Sequence, residues 1–332
     1  MTDIRDLLID PSALCLSEQA TDRAVAFVDL SVCSTDKGIK TLPPFPLIGV
    51  GDRSHPVAAA LDAVIEPPVS AESLIRQIGS APRAAAVSTQ LLRSLEGLPA
   101  SRALHLESLA YGLLQGSTEH IAWLSGRAPA ALSVPRGRLL LERRDTALHI
   151  TLDRPQARNA IDRVLRDQLV DALTVAAFDS EISAVKLRAL GAAFCIGGDL
   201  AEFGTTRDPA AAHLIRNRTS PAFLLSELSD ILAVHVQGAC VGAGLEIAAF
   251  ARHFTATSAA WFQLPELAMG LLPGAGGCFS VPRRIGRQRS ALMLLSGRRI
   301  TAATALRWGL IDAIDDDPQL VEIGRASCRE RV

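Results

Sequence analysis

The sequence predicts an α/β fold with layered packing for the longer, C-terminal part of the chain. Short apolar runs alternate there with segments of helical period, and two glycine-rich turns directly follow strand-like runs. The alternation holds from Arg138 to about Ile314. In a chain of 332 residues that is 48% apolar, such a region can bury a large core.

Three units follow from this pattern: an N-terminal α/β extension over 1–133, the regular region over 134–321, and a tail over 322–332. In the extension, Val25–Leu30 and Leu47–Val50 read as strands, and Ala84–Glu96 and Leu104–Leu114 as helices. Ser125–Gly137 has the Pro, Gly and Ala content of a linker. Arg138–Glu142 and Ala147–Leu152 then pair around an Asp145-Thr146 turn. Ile161, Leu165, Leu169, Ala172, Leu173 and Ala176 mark a helix, followed by a strand over Ala184–Leu190. That strand runs into Gly197-Gly198, where glycine lets the backbone turn closely. A helix over Ala210–Leu228 leads to a strand at Ile231–Val236, a turn at Gln237–Gly244 and a helix from about Ala243 to Phe250. A Trp261–Gln263 strand, a Leu272–Gly277 turn, and helices near Arg287–Leu295 and Ala302–Trp308 complete the region. The tail has neither apolar period nor capping residues and is expected to be frayed or non-native.

Composition narrows the partners. Thirty-four basic and 35 acidic side chains give a formal charge of -1 without blocks of one sign, so no attraction to nucleic acid or anionic membrane is implied. Six scattered cysteines (Cys15, Cys33, Cys195, Cys240, Cys278, Cys328) form no CxxC pair; neither a metal site nor a disulfide framework is expected, and a reducing, cytoplasmic location fits. The N-terminus lacks the apolar stretch of a secretory signal. Ile231–Ala251 is apolar, but His235, Gln237 and Glu246 mark it as buried structure and not a membrane span.

Chemistry concentrates at the glycine turns. After a strand and before a helix, such a turn leaves backbone N–H groups free, and two converging turns could each direct one at a developing oxyanion. The same glycines could simply permit tight turns. A dinucleotide fingerprint is excluded after Val236, because the third glycine is missing beyond Gly242-Ala243-Gly244. Glu246 lies in GLEIAAFA and Glu266 in LPELAMGLLPG, both apolar settings in which an acid is costly unless paired, solvated or functional. Burial would raise both pKa values and could divide them into acid and base. A cap or a salt bridge is the alternative for each. Cys195, Cys240 and His235 have no partner spacing for a nucleophile and read as packing.

Five ordered segments, LDRPQARNA, AFCIGGDL, HVQGACVGAGLEIA, LPELAMGLLPGAGG and LSGRRITAATALRWGLIDAI, together resemble the crotonase (enoyl-CoA hydratase/isomerase) superfamily over about Arg138–Ile314. The resemblance implies a crotonase-like spiral of ββα repeats with peripheral helices. It places the oxyanion N–H donors on Gly198 and Ala243 and the catalytic acids on Glu246 and Glu266. Both acids match those of hydratases, whereas many isomerases and other lyases of the superfamily keep one. The implied reaction is syn hydration of a 2-enoyl-CoA, with Δ3-Δ2 isomerisation or a non-catalytic acyl-CoA-binding subunit as alternatives. Arg158, Asn159, Ala160, Gly198, Asp199, Leu200 and Ala243 would line the CoA entrance; a solvent-exposed loop arginine is the other reading of Arg158. Ala192 replaces a lysine common before the AF motif, which weakens the implied CoA contact there. Coenzyme A enters as part of the substrate, with no separate cofactor, and the assembly implied is a homotrimer or a dimer of trimers.

The extension carries a second resemblance. Ala63–Pro67, SAESLIRQIGSAPRAAAVSTQLLRSLEG and LHLESLAYGLLQGSTEHIAWLSGR resemble the terminal portion of the superfamily, which normally follows the point where this chain ends. A permuted or fused arrangement is therefore expected, in which residues of about 60–127 close the acyl pocket within the chain or across a subunit boundary. An unrelated regulatory or scaffolding appendage is the alternative.

Overall fold

The computed structural model describes residues 4–9, 23–33, 42–127 and 134–317. The expected tail at 322–332, and the linker positions 128–133, lie outside the described residues.

Three apolar runs open the fold as a parallel sheet in the order β1 (Ala26–Asp29), β2 (Leu47–Val50) and β3 (Ala63–Val64). Four helices follow. Ser70 and Ser73 exchange side-chain and backbone hydrogen bonds in a capping box that starts α1 (Ala71–Ser80). Pro82, at a position where a missing N–H costs nothing, begins α2 (Pro82–Ser94). Next come α3 (Ala100–Gln115) and α4 (Thr118–Ser125), the latter capped by Ser117.

The regular region begins with the hairpin β4 (Arg138–Arg144) and β5 (Ala147–Asp153), turned at Asp145 with φ 52°. It continues through α5 (Arg163–Phe178), β6 (Ala184–Ala189), α6 (Pro209–Thr219), α7 (Ala222–Glu227), β7 (Leu232–Val236), β8 (Ala239–Val241) and α8 (Ala243–Ala248). Then follow β9 (His253–Ala256), β10 (Trp261–Gln263), α9 (Gly277–Ser296), β11 (Ile300–Thr301), α10 (Ala302–Trp308) and β12 (Ala313–Ile314). One sheet has the order β12-β9-β7-β6-β5-β4 and is parallel except at β4/β5; a second, smaller one has the order β11-β10-β8. Leu148, Ile150 and Leu152 of β5 and Val185, Leu187 and Ala189 of β6 alternate inward, as period two requires.

Three elements differ from the sequence expectation. The single helix expected over 210–228 is two, because Pro221 interrupts the ladder between α6 and α7. The helix expected from Arg287 begins at Gly277 and kinks at Gly286, φ 77°; Gly277, Pro282 and Gly286 hid its first half. The stretch read as one turn after β7 contains β8, only three residues long.

One apolar core joins the two halves. Leu74, Ile78, Leu92 and Leu104 of the first four helices belong to the same buried cluster as Leu292 and Leu295 of α9. Charged groups support the seam: buried Asp62 accepts from Arg93 at 2.6 Å and lies 3.4 Å from Arg287, while Glu66 pairs with Arg289 at 2.7 Å.

Candidate active site

The two glycine turns come together because their strands are tied. Cys195 N–H donates to the Ala239 carbonyl at 3.1 Å, and Val241 N–H to the Cys195 carbonyl at 2.9 Å. This brings Gly197-Gly198 beside Gly242-Ala243, with Gly197 (φ 99°) so placed that a Cβ would lie 3.8 Å from Ala243 N. Gly244 packs on Cys195, where a Cβ would sit 2.6 Å from the Cys195 Cβ. The N–H groups of Gly198 and of Ala243, the first residue of α8, have no backbone or side-chain acceptor among the described residues.

Both turns open on a cavity of about 710 Å³, whose lining includes Gly198, Ala243, Glu246 and Glu266. Glu246 is 2% exposed and Glu266 8%. Their surroundings differ. Glu246 Oε2 accepts from Ala275 N–H at 2.6 Å and Gly277 N–H at 2.8 Å. Burial pushes its pKa up to about 7, held there by the N–H groups of Ala275, Gly277 and Gly274. Glu266 Oε2 has no hydrogen-bond partner. Burial, and next the Glu246 charge, raise its pKa well above the usual carboxylate range. The two buried carboxyls therefore sit in unequal surroundings, one accepting from backbone N–H groups and the other with an oxygen that has no partner.

Residues of the N-terminal helices reach this site in the same chain. Glu107 of α3, 2% exposed, accepts from Gly276 N–H at 2.7 Å and Cys278 N–H at 2.8 Å. Its N–H donors alternate with those of Glu246, so consecutive amides 275 to 278 serve two carboxyl groups in turn. Burial and the neighbouring Glu246 charge raise the Glu107 pKa. Tyr111 lies against Gly274, where a Cβ would come within 2.3 Å of its ring, and Arg216 of α6 stacks on that ring at 4.5 Å. Trp123 of α4 meets Phe203 edge-on with ring centroids 6.0 Å apart. Glu107, Tyr111 and Arg216 were not singled out from sequence; only an acid inside the apolar period of LHLESLAYG offered a hint.

At the other rim, Ala160, Asp199 and Leu200 line the cavity. Two expected CoA residues do not. Asn159 is fully buried: its amide accepts from Arg154 N–H at 2.8 Å and donates to the carbonyls of Leu190 and Ala193 at 2.8 and 2.9 Å. With its polar atoms spent on the loop's own backbone, it holds that loop and cannot face a ligand. Arg158 takes φ 51° just before it and is exposed, outside the cavity lining. Asp199 also has a structural partner, an ion pair with buried Arg154 at 2.7 Å that fixes the turn carrying Gly198. Cys195 and Cys240 are buried, and His235 shares a 2.8 Å hydrogen bond with Thr255 Oγ1, so all three pack.

A family model for enoyl-CoA hydratase/isomerase matches residues 142–332. The 2,3-dehydroadipyl-CoA hydratase of Escherichia coli K12 is 36% identical over 178 residues, 53% of this chain and 68% of that protein. Among solved structures, DspI of Pseudomonas aeruginosa is similar at 29% identity and TM-score 0.51, over 60% of this chain and 75% of its own. Enoyl-CoA hydratase subunit I of Geobacillus kaustophilus HTA426 is similar at 27% identity and TM-score 0.50, over 57% and 73%. Curated relatives matched at 33–37% identity are covered over 62–68% of their own length.

Proposed function

The chain belongs to the enoyl-CoA hydratase/isomerase family, with its α/β fold, and from that premise we propose that it adds water across the C2=C3 bond of a 2-enoyl-CoA. The observation that carries this reading is the inequality of the two glutamates: Glu246 is cradled by amides, while Glu266 keeps a buried oxygen without a partner. A hydratase needs both a base and an acid at neutral pH, and this pair is arranged as one of each.

The thioester carbonyl accepts from the N–H groups of Gly198 and Ala243, each worth about 3 kcal/mol as negative charge develops on the oxygen. Glu246, as carboxylate, takes a proton from water, and the hydroxide oxygen bonds to C3. The C2=C3 electron pair shifts to form the enolate. As the enolate collapses, Glu266 delivers its proton to C2, and the proton held by Glu246 returns to Glu266 through solvent. CoA enters along the rim of Ala160 and Leu200, beside Arg163 and Arg166. Residues of about 60–127 act as the covering helices of this same chain's acyl cavity, a role supported by Tyr111 and Gln115 in its lining.

Turnover of crotonyl-CoA, followed as loss of the conjugated-thioester absorbance, tests the reading. Glu246→Gln and Glu266→Gln are each expected to lower kcat by about 10²–10⁴-fold in a folded protein. Wild-type turnover in either variant removes that glutamate from the mechanism. Isomerisation of a 3-enoyl-CoA that survives Glu246→Gln and not Glu266→Gln would replace hydration by double-bond migration.

A further inference from the structure

The acyl side of the cavity carries hydrogen-bond donors that no protein acceptor uses. Arg216 directs Nε at Ser108 Oγ (3.1 Å), Nη2 at the Ser108 carbonyl (3.0 Å) and Nη1 at Gln115 Oε1 (2.6 Å). One N–H on each terminal nitrogen is left over. Gln115 spends its oxygen on Arg216, and its NH2 group has no acceptor among the described residues; nor has the Tyr111 hydroxyl. All three side chains line the same cavity as Glu246 and Glu266.

This cluster has donors and a positive charge but no matching anion. No carboxylate approaches Arg216 to ion-pair distance among the described residues. Glu107 exerts a Coulombic pull on it, but both Glu107 oxygens are taken by the amides of α9. Burial weakens the hold of Arg216 on its proton, the signature of a desolvated cation. A half-buried guanidinium in a ligand cavity without a counterion is costly, and a ligand carboxylate would offset that cost with a forked pair of hydrogen bonds. With CoA at the Ala160–Leu200 rim, the wall built by α3 and α6 is left to face the acyl group.

We propose that the acyl group carries a carboxylate at its far end, gripped by Arg216 with Gln115 and Tyr111, so that the substrate class is an ω-carboxy-2-enoyl-CoA. The inference rests on the hydration reading for where the thioester sits; the binding of saturated analogues tests it without turnover. Calorimetry would compare an ω-carboxyacyl-CoA with a methyl-terminated acyl-CoA of equal chain length. Wild type is expected to favour the carboxylated ligand by roughly ten- to hundredfold. Arg216→Met is expected to bring the ratio of the two affinities to about one, whatever the affinity of the methyl-terminated ligand becomes. Gln115→Leu, which leaves the guanidinium in place, is expected to lower that ratio severalfold, should Arg216→Met not fold. Equal affinities in wild type, or a preference that survives both substitutions, overturns the proposal. Preferential binding without hydration of the matching enoyl-CoA would sink the hydration reading alone. Hydration of methyl-terminated substrate with no carboxylate preference would sink only this one.

Discussion

Glu246 and Glu266 share a cavity, yet the protein solvates one and not the other, and this difference sets the pH response. The proposed hydration needs Glu246 ionised, so kcat/KM should rise with pH through about 7 and fall again where Glu266 loses its proton. A pH profile that stays flat between about 5.5 and 8.5, about one and a half units either side of that midpoint, contradicts the assignment. Stability moves the opposite way. Because the folded protein holds these protons more tightly than the unfolded chain, their contribution is complete below about 4.5 and is lost as pH rises through about 7. Glu246→Gln removes that loss and is expected to gain up to about 3 kcal/mol over wild type at pH 8, read from urea unfolding at pH 5 and 8. These two acids were legible in the sequence because each interrupts an apolar run. Glu107 and Arg216 were not: each sits on a helix where a charged residue usually faces water, and the Glu107 partners are 169 and 171 positions away.

Helix α3 and the start of α9 form one unit around the 274–278 loop. Glu107→Ala leaves two buried N–H groups without acceptors and is expected to cost about 3 kcal/mol. It should also lower kcat by about tenfold or more through the loosened cradle of Glu246, and Glu107→Gln, which offers one acceptor oxygen and one NH2 to two N–H donors, is expected to recover only part of either loss. Urea unfolding and steady-state kinetics on the two variants check this; wild-type stability and kcat in Glu107→Ala would mean that amides 276 and 278 do not need Glu107. Gly274→Ala brings a Cβ to 2.3 Å from the Tyr111 ring and is expected to push α3 outward, raising KM more than it lowers stability. Most strands and helices were legible from period and turn residues. The start of α9 was obscured by Gly277, Pro282 and Gly286, and β8 by its shortness, since tertiary packing decides both.

At the scale of the whole molecule, the N-terminal helices and the α/β region share one apolar core and should unfold together. A single calorimetric transition over the described chain is expected; two resolved transitions would mean the seam at Asp62, Glu66 and α9 is weak. The sequence order suggested that residues near 60–127 close the cavity, but a connection through Ser125–Gly137 permits closure within a chain or between chains. Glu107 and Tyr111 of that region pack on the 274–278 loop of the same chain. The alternation of amides 275 to 278 between Glu246 and Glu107 bears on how such a protein could be recombined. The two carboxylates hold one loop as two hands hold a rope, so a chimera that takes the α/β region without α3 receives the loop half-gripped. Such a graft would be crippled even with every residue of the reaction centre in place, unless the new segment brought an acid to the same two amides.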